Sequence, residues 1–453
     1  MLNTMHPTIG KLHRFQQRPI NPSAVGRPGI RRKRTCTSAS VLPPHSGYHY
    51  DGSPRRFFEG WYWRVTLPEA DGESFALIYS IEDPGRSSSE SGGLGVQVMG
   101  PGDGYLCQFS RNTGSFWADQ HALALGATIK PKGAVTPRSM VDEADFQKAV
   151  EHGYQASATK QQGSIIANEA GTAGRPMSSV SSASWNFSIQ PRAGWGSPAS
   201  SSQLATAGWL SMLPLFEPHW QVLMSQGSAT GWFEWGGRRL EFKDAPAYAE
   251  KNWGGGFPSK WHWVQCNSFD GQPNLSVTAV GAQRGLLLGA EGLGLGEEDV
   301  GLIGVTYNSE WIELVPWNAE LEWDVEPWGR WYIKAASEKY EAVVEARCSP
   351  SAGTVLRAPS ADQGLSPACK DTFTGEVRLR VWKRDGPTNT AADEPYIDAT
   401  SRSAALEVGG GPWWSAWTAK ASMKEPFKSL VTLPIDVAAL ARMVPEPIRP
   451  PGV

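Results

Sequence analysis

The sequence lacks the signatures of metal-, redox- and nucleotide-dependent enzymes. Its five cysteines are far apart and form no C-x-x-C pair, so nothing indicates a zinc or thiol-redox motif. It contains no Walker loop, no G-x-S-x-G elbow and no H-E-x-x-H motif, and GLGLG at 292–296 lacks dinucleotide-site spacing. His45 and His49 would need a third ligand to hold a metal, which favours packing or turn roles. A reaction without a cofactor or metal is therefore predicted.

Charge and long apolar runs are also scarce. Only 19% of residues are charged and the formal net charge is −3, which gives no electrostatic reason to expect nucleic-acid binding. No segment approaches the roughly 18 apolar residues of a membrane span, so any membrane contact is expected to be peripheral. The 49 glycines, 34 prolines and 21 tryptophans are typical of a turn-rich β protein with aromatic walls.

The first fifty residues contain no acidic side chain, and the first acid is Asp51. They are rich in Lys and Arg, include several hydroxyl residues and lack the apolar core of about 7–15 residues found in secretory signals. This composition predicts an organelle transit peptide over residues 1–42, with a disordered basic tail as the alternative.

Short alternating segments bounded by Gly, Pro, Asn or Asp recur along the rest of the chain. Period-two patterning places apolar side chains on one face, as in the strands of a sandwich or barrel. The clearest examples are 75–85, 230–242, 311–336 and 376–386. Only residues 433–445 have a helical pattern, with Asp436 as the N-cap and Pro445 as the stop.

Two similar segments, 59–80 and 259–280, suggest an internal repeat. Each opens with Trp-x-Trp and continues as a strand, a Gly-containing turn and a second strand, and the two indoles would share one strand face. We interpret them as the first hairpins of two similar domains, with chance as the competing explanation. The prediction is an all-β protein with domains at 43–256 and 257–453.

Residues 216–257 combine indoles with titratable side chains. The members are Trp220, Trp232, Trp235, Trp253, Glu217, His219, Glu234, Tyr248 and Glu250. Carboxylates avoid apolar surroundings unless they are paired or protonated. A carboxyl group among indoles can be a proton donor whose acid strength the pocket sets, so this segment predicts an enzyme.

Several long, Trp-rich segments carry a family resemblance. They are PHSGYHYDGSPRRFFEGWYWRV (44–65), YLCQF (105–109), GWLSMLPLFEPHWQ (208–221), FKDAPAYAEKNWGGGFPSKWHWVQCN (242–267), LRAP (356–359) and GGGPWWSAW (409–417). In this order they resemble the tocopherol cyclases of plants, algae and cyanobacteria, from about Pro43 to the C-terminal PPGV. The main departure is the Ser-, Ala- and Gly-rich part of 163–206, where a surface loop is expected.

The resemblance implies a plastid protein on plastoglobules or the inner envelope, in peripheral contact with a plastoglobule, thylakoid or envelope lipid surface. It implies an isomerase (an intramolecular lyase) that closes the chromanol ring of phytyl benzoquinols, with geranylgeranyl benzoquinols as further candidate substrates. Ring closure needs a proton on the alkene nearest the ring, and the phenolic oxygen then attacks the tertiary cation. The site must therefore supply a protonated acid, π faces and a dry slot for the tail.

Glu250 is the favoured proton donor. AYAEKNWG (247–254) is similar to a segment of the carotenoid 1,2-hydratases, distant lipocalin-like relatives that also protonate an isoprenoid alkene, where an aspartate is the proposed donor. The resemblance thus implies two tandem lipocalin-like antiparallel β-barrels with a few short helices. Tyr248 is expected on the same strand face as Glu250, and His219 is expected to orient Glu250 or to deprotonate the phenol, at the domain junction.

The other predicted site residues would bind the substrate: Trp220, Trp253, Asn252, Trp61 and Glu59. Trp220 and Trp253 are candidate π walls, and Glu59 is the rival proton donor.

Each candidate has a structural alternative. Glu250 could form an ion pair with Lys251 or Arg238, and His219 could be a core histidine. Glu59 could pair with an arginine, the candidates being Arg55, Arg56 and Arg64, and any single tryptophan could belong to the core. Two other functions also stay open: a non-catalytic prenyl-lipid carrier, since such barrels bind lipids, and a carotenoid hydratase.

Overall fold

The computed structural model describes most of the chain beyond the predicted transit peptide. The described ranges are 43–70, 72–85, 92–200, 202–212, 218–288, 293–360, 363–385, 393–436, 439–440, 443–445 and 451–452. Residues 1–42, and with them the transit-peptide prediction, lie outside the described residues. Residues 39–453 form one compact unit.

The first half of that unit is an 11-stranded antiparallel sheet with the order β4-β3-β2-β1-β11-β10-β9-β8-β7-β6-β5. Its strands are β1 Phe58–Leu67, β2 Glu73–Glu82, β3 Gly93–Gly100, β4 Gly104–Ser110, β5 Phe116–Ala118, β6 Ala124–Pro131, β7 Val150–Ser157, β8 Lys160–Ile166, β9 Ser182–Ala193, β10 His219–Trp235 and β11 Arg238–Gly254. The first strand therefore pairs with both its sequence neighbour and the last strand.

The second half repeats this arrangement, with the order β15-β14-β13-β12-β21-β20-β18-β17-β16-β22 and β19 paired to β20. Its strands are β12 Lys260–Cys266, β13 Leu275–Leu288, β14 Leu293–Tyr307, β15 Glu310–Leu314, β16 Ala319–Val325, β17 Arg330–Ser337, β18 Tyr340–Arg347, β19 Thr354–Ser360, β20 Gly364–Lys383, β21 Ile397–Gly410 and β22 Trp417–Ala421. The chain passes from the first sheet to the second between Gly254 and Lys260, at the glycine run. The domain limits at 256 and 257 nevertheless stay predictions, since both sheets belong to one compact unit.

Each sheet curls around its own core. In the first sheet Tyr79 on β2 stacks on Tyr154 on β7, with 4.0 Å between ring centroids. In the second, the rings of His262 on β12 and Trp323 on β16 lie 5.4 Å apart. These strands are distant within their sheets, so the sheets must fold back on themselves to bring the rings together. The predicted all-β fold with two antiparallel sheets in tandem is confirmed, while the description of both as lipocalin-like barrels stays a prediction.

Helices are short. They are α1 Glu143–Ala149 and α2 Phe427–Val431, with 3₁₀ turns at Pro68–Ala70, Pro101–Asp103, Thr113–Ser115 and Trp209–Met212. The few short helices that were expected are present, although α1 lies outside the one segment with a helical pattern. The Asp142 side chain caps the N-terminus of α1 by accepting from the Asp145 amide. In the segment predicted as helical, Asp436 Oδ1 accepts from the Ala439 amide at 2.9 Å, as an N-cap does.

The two Trp-x-Trp strands, β1 and β12, occupy equivalent places in their sheets. Each is the first strand of its sheet and pairs with the following strand and with a late one. Their indoles point differently, however. Trp61 and Trp63 belong to the core of the first sheet, whereas Trp263 belongs to a third apolar cluster that draws residues from both sheets.

This third cluster is the junction between the sheets. It includes Tyr105, Val222 and Tyr248 from the first sheet and Trp263 and Phe373 from the second. Strands beside the junction are buried on both faces, since one face packs on a core and the other on the opposite sheet. At the rim, β16 keeps a simple alternation of buried and more exposed residues.

Candidate active site

Strand β11 divides the predicted site residues between two faces. Glu250 and Tyr248 face the junction, and Trp220 packs against the same cluster from β10. Asn252 is opposite Trp220 in the strand register, on the same face. The remaining predicted residues lie on the other face, towards the first core: Glu59, Trp61, His219 and Trp253.

Glu250 is a buried carboxyl group held by a phenol. The Tyr248 hydroxyl donates to Glu250 Oε2 at 2.6 Å. Burial raises the pKa of Glu250 to about 7, although the hydrogen bond from Tyr248 acts in the opposite direction. A large fraction of this carboxyl group is therefore protonated at neutral pH.

The two ion pairs considered for Glu250 are made elsewhere. Lys251 Nζ lies 2.5 Å from Glu59 Oε1, and Arg238 binds Glu73 through two hydrogen bonds of 3.0 Å. Neither cation is thus the partner of Glu250.

Three aromatic rings surround this carboxyl group. Tyr62 lies opposite Glu250 in the register of β1 and β11, and its ring centroid is 6.4 Å from that of Tyr248. Trp263, from the second sheet, lies 5.6 Å from Tyr62 and 6.0 Å from Tyr248. Their π faces can stabilise a cation that forms beside the acid.

Two further carboxyl groups at the junction were missed from the sequence. Trp263 is opposite Glu407 on β21, and Glu407 is opposite Asp371 on β20, so the three form a row across the second sheet. Burial raises the pKa of Glu407 to about 7 and that of Asp371 well above its ordinary value. The sequence signal that could have identified these two residues is an acidic residue in a strand that is otherwise buried on both faces.

The barrel face of β11 carries a buried ionic network. Glu59, with no exposed side-chain surface, contacts Lys251 and also accepts the His49 amide at 2.8 Å. Lys251 additionally donates to the Gly47 carbonyl at 2.6 Å. The expected pairing of Glu59 with an arginine was wrong. Lys251, the residue after Glu250, points to the same face of the sheet as Glu59 and is its cationic partner.

His219 does not contact Glu250. It is opposite Trp253 in the register and stacks on the Trp253 indole with 5.0 Å between centroids, while His49 stacks on the other side at 3.9 Å. Burial lowers the pKa of His219 to about 4, so it is neutral near pH 7. The predicted partnership of His219 with Glu250 was wrong, since the two side chains leave the sheet on opposite faces.

A groove of about 450 Å³ opens at strands β19, β20 and β21. Its lining is mainly apolar and includes Val355, Pro367, Val408 and Trp413. Cys369 forms part of the wall and is two residues from Asp371 on the same strand. Its side chains Val355, Lys370 and Val408 form one row in the strand register, on the face of β20 opposite to Asp371.

The described ranges contain neither a metal-binding cluster nor a helix that could span a membrane. No group of three or more His, Cys, Asp or Glu side chains there could hold a metal ion. Nor does any helix of the described chain have the length and apolarity needed to cross a membrane.

Two curled antiparallel sheets with a buried acid among aromatic rings at their junction define the class, an all-β protein whose junction has the groups that acid–base chemistry requires. Residues 55–410 match the family described as tocopherol cyclase-like, and the chain belongs to this family.

Two plant proteins agree with this assignment. The chain is 42% identical over 451 residues to "Tocopherol cyclase, chloroplastic" of Zea mays, covering 96% of this chain and 90% of that protein. It is 42% identical over 435 residues to "Probable tocopherol cyclase, chloroplastic" of Oryza sativa subsp. japonica, covering 92% and 89%. The solved structure of CghA with Sch210972 aligns with a TM-score of 0.41 at 10% identity, covering 83% of this chain and 98% of CghA.

The predicted family and its cyclase function are confirmed, and the chain is an enzyme. The predicted chloroplast location is likewise supported by both plant relatives.

Proposed function

We propose that this enzyme is an isomerase, an intramolecular lyase, that closes the chromanol ring of a phytyl benzoquinol, with the geranylgeranyl benzoquinol as a second substrate. The observation that carries the proposal is the Glu250 carboxyl group, buried among Tyr62, Tyr248 and Trp263 with its pKa raised to about 7. It combines a proton donor with a cation-stabilising wall in a site closed to bulk water.

In the proposed reaction Glu250 transfers its proton to the alkene carbon, and a tertiary cation forms on the neighbouring carbon. The phenolic oxygen attacks this cation, so a C–O bond forms and the phenolic O–H bond breaks. The released proton returns to the carboxyl groups of the site, which balances the proton that Glu250 supplied. No electron is gained or lost, as befits an isomerisation.

The other predicted residues take roles that follow from their faces. Tyr248 orients Glu250 through its hydrogen bond, and Trp220 and Asn252 extend the wall on the same face. The four residues on the barrel face act as positioning residues, because they support β11 on the face opposite to Glu250. They are Glu59, Trp61, His219 and Trp253.

Turnover in D2O tests the reaction. The full chain is incubated with 2,3-dimethyl-5-phytyl-benzoquinol under reducing conditions, and the product is examined by mass spectrometry. A chromanol carrying one non-exchangeable deuterium supports the cyclase. Bound but unchanged quinol would indicate a carrier instead, and a tertiary alcohol would indicate a hydratase.

A matched pair of variants assigns the acid. Glu250→Gln is expected to abolish ring closure, whereas Glu313→Gln is expected to retain it. Glu313 is also a buried carboxyl group with its pKa raised to about 7 by burial, but it lies on β15 and accepts from the Trp195 indole at 2.6 Å instead of from Tyr248. Full activity of Glu250→Gln would remove the assignment.

We further propose that the C-terminal segment contacts a plastoglobule or a thylakoid or envelope lipid surface. Phe427 is 64% exposed and Met443 is 80% exposed, and Leu430, Leu433 and Leu440 are also exposed. These side chains are exposed to solvent and do not pack in a core. In flotation with galactolipid vesicles, replacing Phe427, Leu430 and Met443 with Ser should release the protein, while Val135→Ser, an equally exposed control, should not.

A further inference from the structure

Several polar groups buried at the junction have no hydrogen-bond partner within the described part of the chain. They are the Tyr62 hydroxyl, the Trp263 indole N–H, Arg64 Nε, Gln265 Nε2 and both carboxyl oxygens of Asp371. The Trp263 N–H lies near Glu250, and the Thr372 amide near Asp371, but neither completes a hydrogen bond. Asp371 and Gln265 have no exposed surface.

So many buried polar groups without hydrogen-bond partners in one place require an explanation. A buried donor or acceptor without a partner carries a free-energy penalty, and folded proteins satisfy most of them. These groups come from three strands, β1, β12 and β20, which meet beside Glu250. A bound molecule with hydroxyl groups would satisfy them.

The strand register places these groups on facing strands of the two sheets. Tyr62 is opposite Glu250 on the first sheet, and the Trp263–Glu407–Asp371 row faces it from the second. The Tyr62 and Trp263 rings meet edge to face, with an interplanar angle of 76°. Donors and an acceptor are thus combined with aromatic walls, as a hydroxylated aromatic ring requires.

We propose that Tyr62, Trp263 and Asp371 form a subsite for the head group of a 1,4-dihydroxyaryl lipid, in which Asp371 hydrogen-bonds a ring hydroxyl. The inference rests on the proposed function for the identity of the ring. It assigns the specificity for a quinol to the second sheet, while the proton donor belongs to the first.

Binding of a ligand that cannot cyclise tests the subsite. The probe is the substrate analogue with a saturated tail, 2,3-dimethyl-5-phytanyl-benzene-1,4-diol, compared with its dimethyl ether by tryptophan fluorescence in detergent micelles under reducing conditions. The wild-type protein should bind the diol roughly 10-fold more tightly than the ether, since the ether cannot donate hydrogen bonds.

Two variants are compared with a control. Asp371→Leu and Tyr62→Phe should each weaken diol binding, Asp371→Leu by roughly 10-fold, and leave ether binding unchanged. Among the residues that the structure describes, the Asp371 carboxyl group has no hydrogen-bond partner, and Tyr62→Phe retains the ring. Glu313→Gln should bind both ligands as the wild type does.

Equal affinity of the wild type for diol and ether would overturn the subsite, as would unchanged diol binding in both variants. These outcomes are separate from a failure of the proposed function. A protein that prefers the diol yet forms no chromanol from the unsaturated substrate would refute the cyclisation alone, and a cyclising protein without the preference would refute the subsite alone.

Discussion

Replacing Glu250 with Gln should change how the stability of the protein depends on pH. The carboxyl group is fully buried, and its pKa rises from 4.5 to about 7 on folding. As the pH rises through this window, the unfolded chain releases the proton while the folded chain retains it. The contribution of a neutral Glu250 is therefore complete below about pH 4.5 and is lost as the pH passes about 7.

The magnitude follows from the shift. One pKa unit corresponds to about 1.4 kcal/mol at 25 °C, so the wild type should lose about 3 kcal/mol relative to Glu250→Gln between about pH 4.5 and about pH 8. The amide cannot ionise, which removes this loss. Comparing the two proteins at each pH cancels the titration of other buried acids to first order.

The assay is urea unfolding followed by tryptophan fluorescence, with the free energy of unfolding compared at each pH. Glu313→Gln is the matched control, because its carboxyl group has a similarly raised pKa. Both variants should lose the pH-dependent cost, but only Glu250→Gln should lose ring closure. In the wild type, turnover should fall above about pH 7 as Glu250 ionises. A stability difference that is flat with pH would refute the assignment of a neutral, buried Glu250.

Three further substitutions test the surroundings of this acid. Lys251→Met should destabilise the fold by about 3–5 kcal/mol in urea unfolding, because Glu59 is left buried without its cation. Adding Glu59→Gln should recover part of that loss. Additive effects of the two substitutions would contradict the pairing. Trp263→Leu should lower kcat about 10-fold by removing a π face, while Trp232→Leu, at a site where an arginine covers the ring, should not; equal kcat values in the two variants would exclude this role. His219→Phe preserves the stacked ring and should change kcat less than about twofold, whereas a loss of 100-fold or more would make it the base that takes the phenolic proton.

Local patterning predicted the strands well. Alternation over 75–85 and 230–242 corresponds to β2 and to the β10–β11 hairpin, and the turn between those strands falls at the paired glycines 236 and 237. The same period of two placed Tyr248 and Glu250 on one face, where the structure has them hydrogen-bonded. These features depend on neighbouring residues only, which is why sequence spacing is sufficient.

Long-range placement could not be predicted in this way. Asp371 and Glu407 reach Glu250 only because the second sheet packs on the first, and no local pattern records that contact. His219 seemed a partner for Glu250 because both lie in one aromatic segment. A strand carries successive side chains to opposite sides, and the β-bulges of β10 shift its register further.

The packing of one sheet on the other has a consequence for control of the chemistry. Dryness at the junction is what makes Glu250 a proton donor at neutral pH, since burial is the main cause of its raised pKa. If the sheets part and water enters, the carboxyl group returns towards its ordinary acidity and ionises. A molecule whose sheets have separated therefore loses its proton donor. Glu250 can protonate an alkene only while the two sheets are packed together around it.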